Sequence, residues 1–379
     1  MGQGPDRASP WIRIIESQPT VNGRYADIVR IDDVAGGGGF SLVFKAHDLL
    51  SGDNVCLKFY NPELRDAYRM ECFERESAIM HKLEDQPDIL RLVEPVTEFA
   101  CPLTLADGTD VPYHLKYMAT ELAVGDMRHH IYSTRKRRLL DDLRCFRGMC
   151  RAVQRIHASR ICHRDIKPEN FFLSVDGEVR LGDFGTARVV EASTPPLLQY
   201  YGGMWRGDGR YTAPELFCGL DEDTTHFFRG DLFGLGATLF ELLTQSLLTQ
   251  HIYDWAFMIE LRAAFSLMPR NERPTMFAEL IPGIAALKPL PSIAEFTDRV
   301  PASLPPRIDD LYRSLAALDF RQRLVSWDHI FRRIDICETI VRNERKYRAY
   351  LLQRQQWKQR AREKQAGSRA REPGAENGH

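Results

Sequence analysis

The stretch HRDIKPENFFLSVDGEVRLGDFG, which runs from His163 to Gly185, decides how the rest of the chain is interpreted. One loop and one short hairpin bring together two acidic side chains, Asp165 and Asp183, and one amide, Asn170. Oxygen atoms of carboxylates and amides are the ligands that divalent cations such as Mg²⁺ prefer. The spacing therefore predicts a site that holds a divalent metal beside a nucleotide and accepts the proton of a hydroxyl group.

The two ends of this stretch resemble the signatures of the protein kinase catalytic domain, H-R-D-x-x-x-x-N followed by D-F-G. The resemblance implies an α+β bilobal fold, with an N-lobe antiparallel sheet plus one helix and a mainly helical C-lobe. It implies that Asp165 orients the acceptor hydroxyl and that Lys167 lies against the γ-phosphate of ATP. Asn170 and Asp183 would hold Mg²⁺. Residues 167–169 resemble kinases directed at serine and threonine, so the implied reaction is phosphorylation of these residues in proteins.

A second segment, AGGGGFSLVFKA at positions 35–46, resembles the kinase glycine-rich loop. Gly36 and Gly38 take the first two glycine positions, and Ser41 stands in place of the third. Glycine lets backbone amides approach phosphates because no Cβ is in the way. The resemblance also implies that Val43 presses on the adenine. Four consecutive glycines are typical of a flexible turn as well, but the strand-like alternation on either side favours the nucleotide loop.

The next strand, NVCLKFY at positions 54–60, resembles the kinase strand that carries the ATP-binding lysine, with Cys56 where alanine is usual. A lysine on a buried strand needs a partner. The helix after this strand places Glu76 on its apolar face by helical spacing. We therefore expect Glu76 to pair with Lys58 and to orient the ammonium on the ATP phosphates. Glu74 is the alternative partner.

Residues 121–125 resemble the kinase hinge. The resemblance implies that backbone groups of Glu121 and Ala123 bond the adenine edge. It also implies that Phe172 forms the floor of the adenine pocket, beneath the cysteine and valine of the sheet. Asp126 has two interpretations, contact with the ribose or capping of the next helix.

The segment GDGRYTAPE at positions 207–215 resembles the part of the kinase domain that forms the floor of the peptide site. Asp208 replaces the threonine that is usual there. We expect its carboxylate to repel Asp165, unless Lys167 bridges the two. The resulting hypothesis is a preference for acceptors with a basic neighbour.

Two further positions complete the resemblance in the C-lobe. Asp231 opens a long apolar segment and is expected to anchor the backbone of the catalytic loop. Arg323 is expected to form an ion pair with Glu215. The run Leu232 to Leu243 is too short for a membrane span and is interpreted as a buried core helix.

The net charge and the cysteine spacing limit the classes of protein to which this chain can belong. The formal net charge of -1 argues against a generic nucleic-acid binder, because that class needs excess positive charge to neutralise phosphates. The eight cysteines contain no Cys-x-x-Cys pair, which is typical of reduced thiols in a cytoplasmic chain.

The chain is predicted to have three regions. The first is a leader or a strap across the small lobe, and the second is a kinase domain made of N-lobe, hinge and C-lobe. The third is a basic helical tail with a disordered end, which is either solvated or docked on the kinase lobe or an anionic partner. Besides a kinase, two alternatives stay open: a nucleotide-binding pseudokinase or scaffold, and a kinase-like phosphotransferase acting on a small molecule. The predicted bounds are 1–24, 25–335 (N-lobe 25–120, hinge 121–125, C-lobe 126–335) and 336–379.

Overall fold

The computed structural model describes residues 9–31, 41–64, 66–104, 107–133, 137–190, 207–220 and 224–369. Within them an antiparallel sheet forms the N-terminal region, and helices form most of the C-terminal region. This arrangement confirms the α+β class and the bilobal architecture predicted from the sequence. The predicted bounds of the three regions stay predictions.

Five strands form the N-lobe sheet: β1 (Tyr25–Arg30), β2 (Ser41–Asp48), β3 (Asn54–Tyr60), β4 (Leu92–Thr104) and β5 (Asp110–Glu121). Their order is β1-β2-β3-β5-β4, and each neighbouring pair is antiparallel. Along β3, Val55, Leu57 and Phe59 are buried in the core of this lobe. Because successive side chains of a strand point to opposite faces, Cys56 and Lys58 lie on the other face.

Two helices flank this sheet, α1 (Pro10–Glu16) and α2 (Ala67–Lys82). Ile12 and Ile15 of α1 are buried in the N-lobe core. The apolar face of α2 contributes Ile79 and Met80 to the core of the C-lobe instead. The second helix therefore lies between the sheet and the larger lobe.

The C-lobe is built mainly from helices, and its short strands lie next to the hinge and the catalytic loop. The strands are β6 (Gly125–Asp126), β7 (Ile161–Cys162), β8 (Phe171–Leu173), β9 (Val179–Leu181) and β10 (Arg188–Val189). The helices are α3 (Met127–Ser133), α4 (Leu139–Ala158), α5 (Pro214–Phe217), α6 (Thr224–Thr244), α7 (Leu248–Ile252), α8 (Trp255–Leu267), α9 (Arg273–Leu287), α10 (Pro305–Leu315), α11 (Trp327–Arg342) and α12 (Glu344–Arg369).

Helices α4 and α6 form the centre of the C-lobe. Apolar residues recur along α4 at helical spacing, and Phe146, Met149 and Val153 are fully buried. The predicted core helix over Leu232 to Leu243 is the inner part of α6, which is longer at both ends than predicted. These two helices support the short strands β7 and β9, which flank the stretch from His163 to Gly185.

Two further stretches of the chain were assigned from composition. Residues 245 to about 310 are rich in proline but helical in composition. As expected, they form α7 to α9 and the start of α10, and α9 accommodates Pro282 in its interior. For the tail, composition predicts one helix over Ile340 to Gln365, but the structure interrupts it at Asn343, so Ile340 belongs to α11 and the tail proper begins with α12. Among the described residues, no helix combines the length and the apolar character that crossing a bilayer requires.

Candidate active site

Asp231 fixes the catalytic loop from below. This residue of α6 is almost fully buried. Its carboxylate accepts hydrogen bonds from the backbone N–H of His163 and of Arg164, each at 2.8 Å. It also contacts His157 Nε2 at 2.9 Å. The predicted anchor is therefore present, and it holds Arg164 at a φ of 67°, a left-handed conformation that side chains seldom adopt.

Three groups surround the Asp165 side chain. Lys167 Nζ lies 2.9 Å from Oδ2, and the backbone N–H of Asp208 donates to Oδ1 at 2.7 Å. Asn170 Nδ2 donates to the Asp165 carbonyl at 2.7 Å and to Oδ2 at 3.2 Å. Burial alone would lower the pKa of Lys167, but the carboxylate of Asp165 outweighs it and the pKa is raised. The lysine is therefore a fixed cation next to Asp165.

Asp183 reaches across to the N-lobe. It lies just after β9 in a left-handed conformation with a φ of 57°, and its Oδ1 lies 3.3 Å from Lys58 Nζ. The charge of Lys58 lowers the pKa of Asp183, so the carboxylate is ionised. Asp183 of the catalytic stretch and the β3 lysine thus lie in direct contact, which the sequence analysis did not predict.

Lys58 pairs with Glu76, whose two carboxylate oxygens lie 2.8 and 2.7 Å from its Nζ. Burial raises the pKa of Glu76, and the ammonium opposes that shift. Glu74, the alternative partner, contacts Lys116 on the exposed side of α2. The predicted pair is therefore present and its alternative is not.

The predicted adenine-side residues share one face of the N-lobe sheet. Ser41 and Val43 on β2 stand opposite Tyr60 and Lys58 on β3. Cys56, two residues before Lys58, lies on the same face because side chains alternate along a strand. Burial raises the pKa of the Cys56 thiol to about 11, so it stays neutral. The predicted phosphate-loop glycines, Gly36 and Gly38, lie outside the described residues.

The hinge is held by contacts from both lobes. The backbone N–H of Glu121 donates to the Arg91 carbonyl at 2.9 Å, and that of Val124 donates to the carbonyl of residue 173 at 2.8 Å. Ala123 lies between them, packed against the C-lobe core. The Glu121 carboxylate accepts two hydrogen bonds from Arg180 Nη1, both at 2.6 Å. This ion pair is absent from the sequence-based expectation.

Two predicted residues stand just below the hinge. Phe172 pairs with Asp126 across the strands β8 and β6. A Cβ at Gly182 would come within 2.9 Å of the Phe172 ring, so glycine makes room for it. Asp126 accepts a hydrogen bond from the backbone N–H of His129 at 2.7 Å, which is the capping alternative.

The expected repulsion between Asp208 and Asp165 is wrong. Asp208 turns its backbone N–H toward Asp165, and its carboxylate accepts hydrogen bonds from Arg210 Nε at 3.0 Å. Lys167 contacts Asp165 and is not needed as a bridge. Arg210 is the residue that sequence reasoning missed, although an Asp-x-Arg pair that opens a tight turn is a recognisable signal.

The Glu215–Arg323 pair closes the floor behind this segment. Arg323 Nη2 lies 2.8 Å from Glu215 Oε2, and both side chains are fully buried. A buried pair with two good hydrogen bonds fixes the position of the segment that contains Asp208. The predicted partner is therefore confirmed.

Comparison with known proteins agrees with this geometry. The family model described as the protein kinase domain matches residues 29–333. The probable serine/threonine-protein kinase PknB of Corynebacterium glutamicum is 31% identical over 221 residues, which are 58% of this chain and 32% of the relative. The probable serine/threonine-protein kinase SCO3848 of Streptomyces coelicolor is 30% identical over 232 residues, which are 61% of this chain and 31% of the relative.

A plant relative matches over more of its own length. Mitogen-activated protein kinase kinase 7 of Arabidopsis thaliana is 24% identical over 272 residues, which are 70% of this chain and 74% of the relative. The match to the bacterial relatives, by contrast, spans about a third of their length. Since the family model covers most of the chain, this chain belongs to the protein kinase domain family.

Proposed function

We propose that this chain is an ATP- and Mg²⁺-dependent protein kinase that transfers the γ-phosphate to serine or threonine hydroxyls of proteins. The observation that carries the proposal is the cluster formed by Lys58, Glu76 and Asp183, in which Lys58 Nζ contacts carboxylates of both lobes. Lys167 links Asp165 to this cluster, because it contacts Asp165 and its charge helps to lower the pKa of Asp183. The names of the bacterial relatives support serine and threonine as acceptors.

The residues present fit Mg²⁺ and a nucleotide by the chemistry of their donor atoms. Asn170 Nδ2 donates both of its contacts to Asp165, which leaves Asn170 Oδ1 as the ligand atom. Asp183 supplies an ionised carboxylate. One amide and one carboxylate are too few for Mg²⁺, which takes its remaining ligands from phosphates and water.

The chain's own residues position the reacting groups. Lys58, held by Glu76, would bind phosphate oxygens, and Lys167 would place a second cation beside the acceptor. Asp165 Oδ1 and Oδ2 retain acceptor capacity after their present hydrogen bonds, so the carboxylate can accept one from the substrate hydroxyl. Bound Mg²⁺ would neutralise charge on the phosphates. Phosphoryl transfer depends mainly on positioning and electrostatics, and these fixed groups supply both.

We propose this role in preference to the two alternatives. A pseudokinase would lack one of the catalytic side chains, whereas Lys58, Asp165, Asn170 and Asp183 are all present. A small-molecule phosphotransferase would not need a peptide floor. Here such a segment is present: the ion pair between Glu215 of α5 and Arg323 anchors it, and it lies next to Asp165.

The proposal is tested by transfer of radioactive γ-phosphate from Mg-ATP to the chain itself and to a histone mixture. Asp165→Ala and Lys58→Met are expected to lower the rate by at least about 100-fold, because each removes a positioning charge. Lys288→Met, at an exposed lysine that follows α9 in the C-lobe, is the matched control and keeps the wild-type rate. A wild-type chain that binds ATP but transfers nothing would favour the nucleotide-binding scaffold.

We also propose that α12 binds an acidic protein surface. Its 26 residues contain nine Lys or Arg against two Glu, and Trp357 and Leu352 are exposed among them. Binding to fluorescent polyglutamate, measured by anisotropy, is expected to be lost at about 0.5 M salt, where the Debye length is only about 4 Å. It is also expected to disappear when residues 344–379 are deleted, and binding that survives the deletion contradicts the proposal.

We also propose that the protein is located in the cytoplasm. All eight cysteines are free thiols, and five of them are buried. Free thiols are typical of a reducing compartment. Recovery of the chain from an oxidising compartment in cell fractionation would contradict this.

A further inference from the structure

The floor beside Asp165 carries an acidic cluster formed by Asp208, Glu169 and Glu241, here called the floor cluster. Asp208 adjoins Asp165 directly through its backbone N–H. Glu169 is mostly buried and Glu241 fully buried. Carboxylates in such a place would attract a cationic side chain next to the acceptor hydroxyl.

Two internal arginines already occupy the floor cluster. Arg128 Nη1 lies 3.1 Å from Glu169 Oε1 and 3.2 Å from Glu241 Oε1. Arg210 donates to Asp208 through Nε and reaches Glu169 Oε1 with Nη2 at 3.1 Å. The cluster is therefore largely neutralised before any substrate arrives.

Arg210 is the outer of the two cations. Its side chain is 41% exposed, against 20% for Arg128, so it lies between the cluster and solvent. Beneath it, Glu169 Oε2 is buried and accepts no hydrogen bond from the described residues. A buried carboxylate oxygen without a donor is costly. The cluster thus has acceptor capacity that becomes accessible if Arg210 is removed.

We propose that Arg210 determines acceptor specificity: its guanidinium fills the place that a cationic side chain of the substrate would take. The enzyme consequently prefers hydroxyls with neutral or acidic neighbours to hydroxyls with basic ones. This inference rests on the proposed kinase function. It reverses the preference for acceptors with a basic neighbour, which the sequence predicts from Asp208 alone. An internal cation that excludes a wrong partner is a common way to obtain specificity.

The test compares three serine peptides of equal length whose flanking residues are arginine, alanine or aspartate. The readout is the ratio of kcat/KM for the arginine peptide to kcat/KM for the alanine peptide, measured within each variant. Arg210→Gln is expected to raise this ratio about tenfold, since a charge-assisted hydrogen bond to the freed carboxylates contributes about 1.4 kcal/mol or more.

Arg321→Gln is a matched control. Arg321 donates to Asp319 at 2.8 and 3.1 Å through Nε, in the same Asp-x-Arg arrangement, and its side chain is 45% exposed. It is far in sequence from the floor cluster and is expected to leave the ratio at its wild-type value. Thermal melting of both variants shows whether each is folded.

A second substitution separates charge from geometry. Adding Asp208→Asn to Arg210→Gln is expected to return the ratio toward wild type, because it removes the carboxylate that Arg210 had covered. Arg210→Lys keeps the positive charge and is expected to keep the wild-type order of peptides.

The proposal is overturned if the wild-type chain prefers the arginine peptide, or if Arg210→Gln raises the ratio no more than Arg321→Gln does. The wild-type measurement decides even if Arg210→Gln does not fold. A wild-type chain that phosphorylates none of the peptides and not itself speaks against the kinase function instead, so the two failures are distinguishable.

Discussion

At the residue scale, backbone conformation places the two candidate site carboxylates, Asp183 directly and Asp165 through its neighbour Arg164. Asp183 and Arg164 both have positive φ values. Side chains adopt this region only where the surroundings enforce it, and here the enforcing contacts are Lys58 and Asp231. Gly207 also has a positive φ, of +81°, and it lies directly against the catalytic loop.

Gly207→Ala is expected to reduce transfer by about 100-fold, because a small displacement of a positioning residue has an effect of that size. A Cβ at this position would lie 2.6 Å from the Arg164 carbonyl oxygen and 2.8 Å from Asp165 Oδ1. The loop or Asp165 must therefore move. The measurement is kcat for a serine peptide.

Gly177→Ala is the control for backbone strain alone. Gly177 also has a φ of +81°, but a Cβ there would contact nothing within 4 Å. Both variants are expected to lose about 1–2 kcal/mol of unfolding free energy from the left-handed conformation, and only Gly207→Ala loses catalysis. Equal kcat values in the two variants would show that the Gly207 contacts do not matter.

At the element scale, the ion pair between Arg180 on β9 and Glu121 at the end of β5 joins the catalytic hairpin to the hinge. Both side chains are mostly buried, and Arg180 also contacts Asp176 at 2.8 Å. A pair at this place links the strand that leads into the hinge with a hairpin of the C-lobe. It is therefore expected to affect nucleotide binding more than the chemical step.

Arg180→Gln is expected to raise KM for ATP by about 3- to 10-fold with a smaller change in kcat, since it leaves the Glu121 carboxylate without its cation. Arg342→Gln, which breaks a pair with Glu338 at 2.7 Å on α11, is the control and leaves KM unchanged. A lower kcat at constant KM would assign Arg180 to the chemistry and not to the hinge.

At the scale of the whole molecule, the core of the C-lobe extends to helix α2 beside the active site through Ile79 and Met80. The N-lobe core lies on the face of the sheet that points away from Lys58. Phe184 belongs to the C-lobe core too, and its ring lies 5.2 Å from that of His163. The C-lobe core consequently helps to position the helix that carries Glu76. This packing couples the pair formed by Lys58 and Glu76 to the catalytic loop.

Much of the site was predictable because its residues lie in local patterns. Asp165, Asn170 and Asp183 are close in sequence, and the loop and hairpin between them leave few possible arrangements. Strand alternation placed Lys58 on the cleft face, and helical spacing separated its glutamate partner from the exposed glutamate two residues earlier. The family resemblance predicted two partners that are distant in sequence: Asp231 for the catalytic loop and Arg323 for the peptide floor.

The orientation of Asp208 was not predictable in the same way. Its backbone and its side chain point at different partners, and a one-dimensional pattern does not distinguish them. The repulsion expected from the sequence is therefore replaced by a hydrogen bond to Asp165 and an ion pair with Arg210.

The sequence by itself determined the fold class and the family, and the family resemblance named the candidate catalytic side chains, because the motifs that carry it are local in sequence. Only the tertiary structure decided which cations neutralise the carboxylates of the floor cluster. Arg210 and Glu169 are 41 residues apart, and Arg128 and Glu241 are 113 apart. Ion pairs of this kind depend on distances of a few ångströms between separate elements, and packing of the complete chain sets those distances.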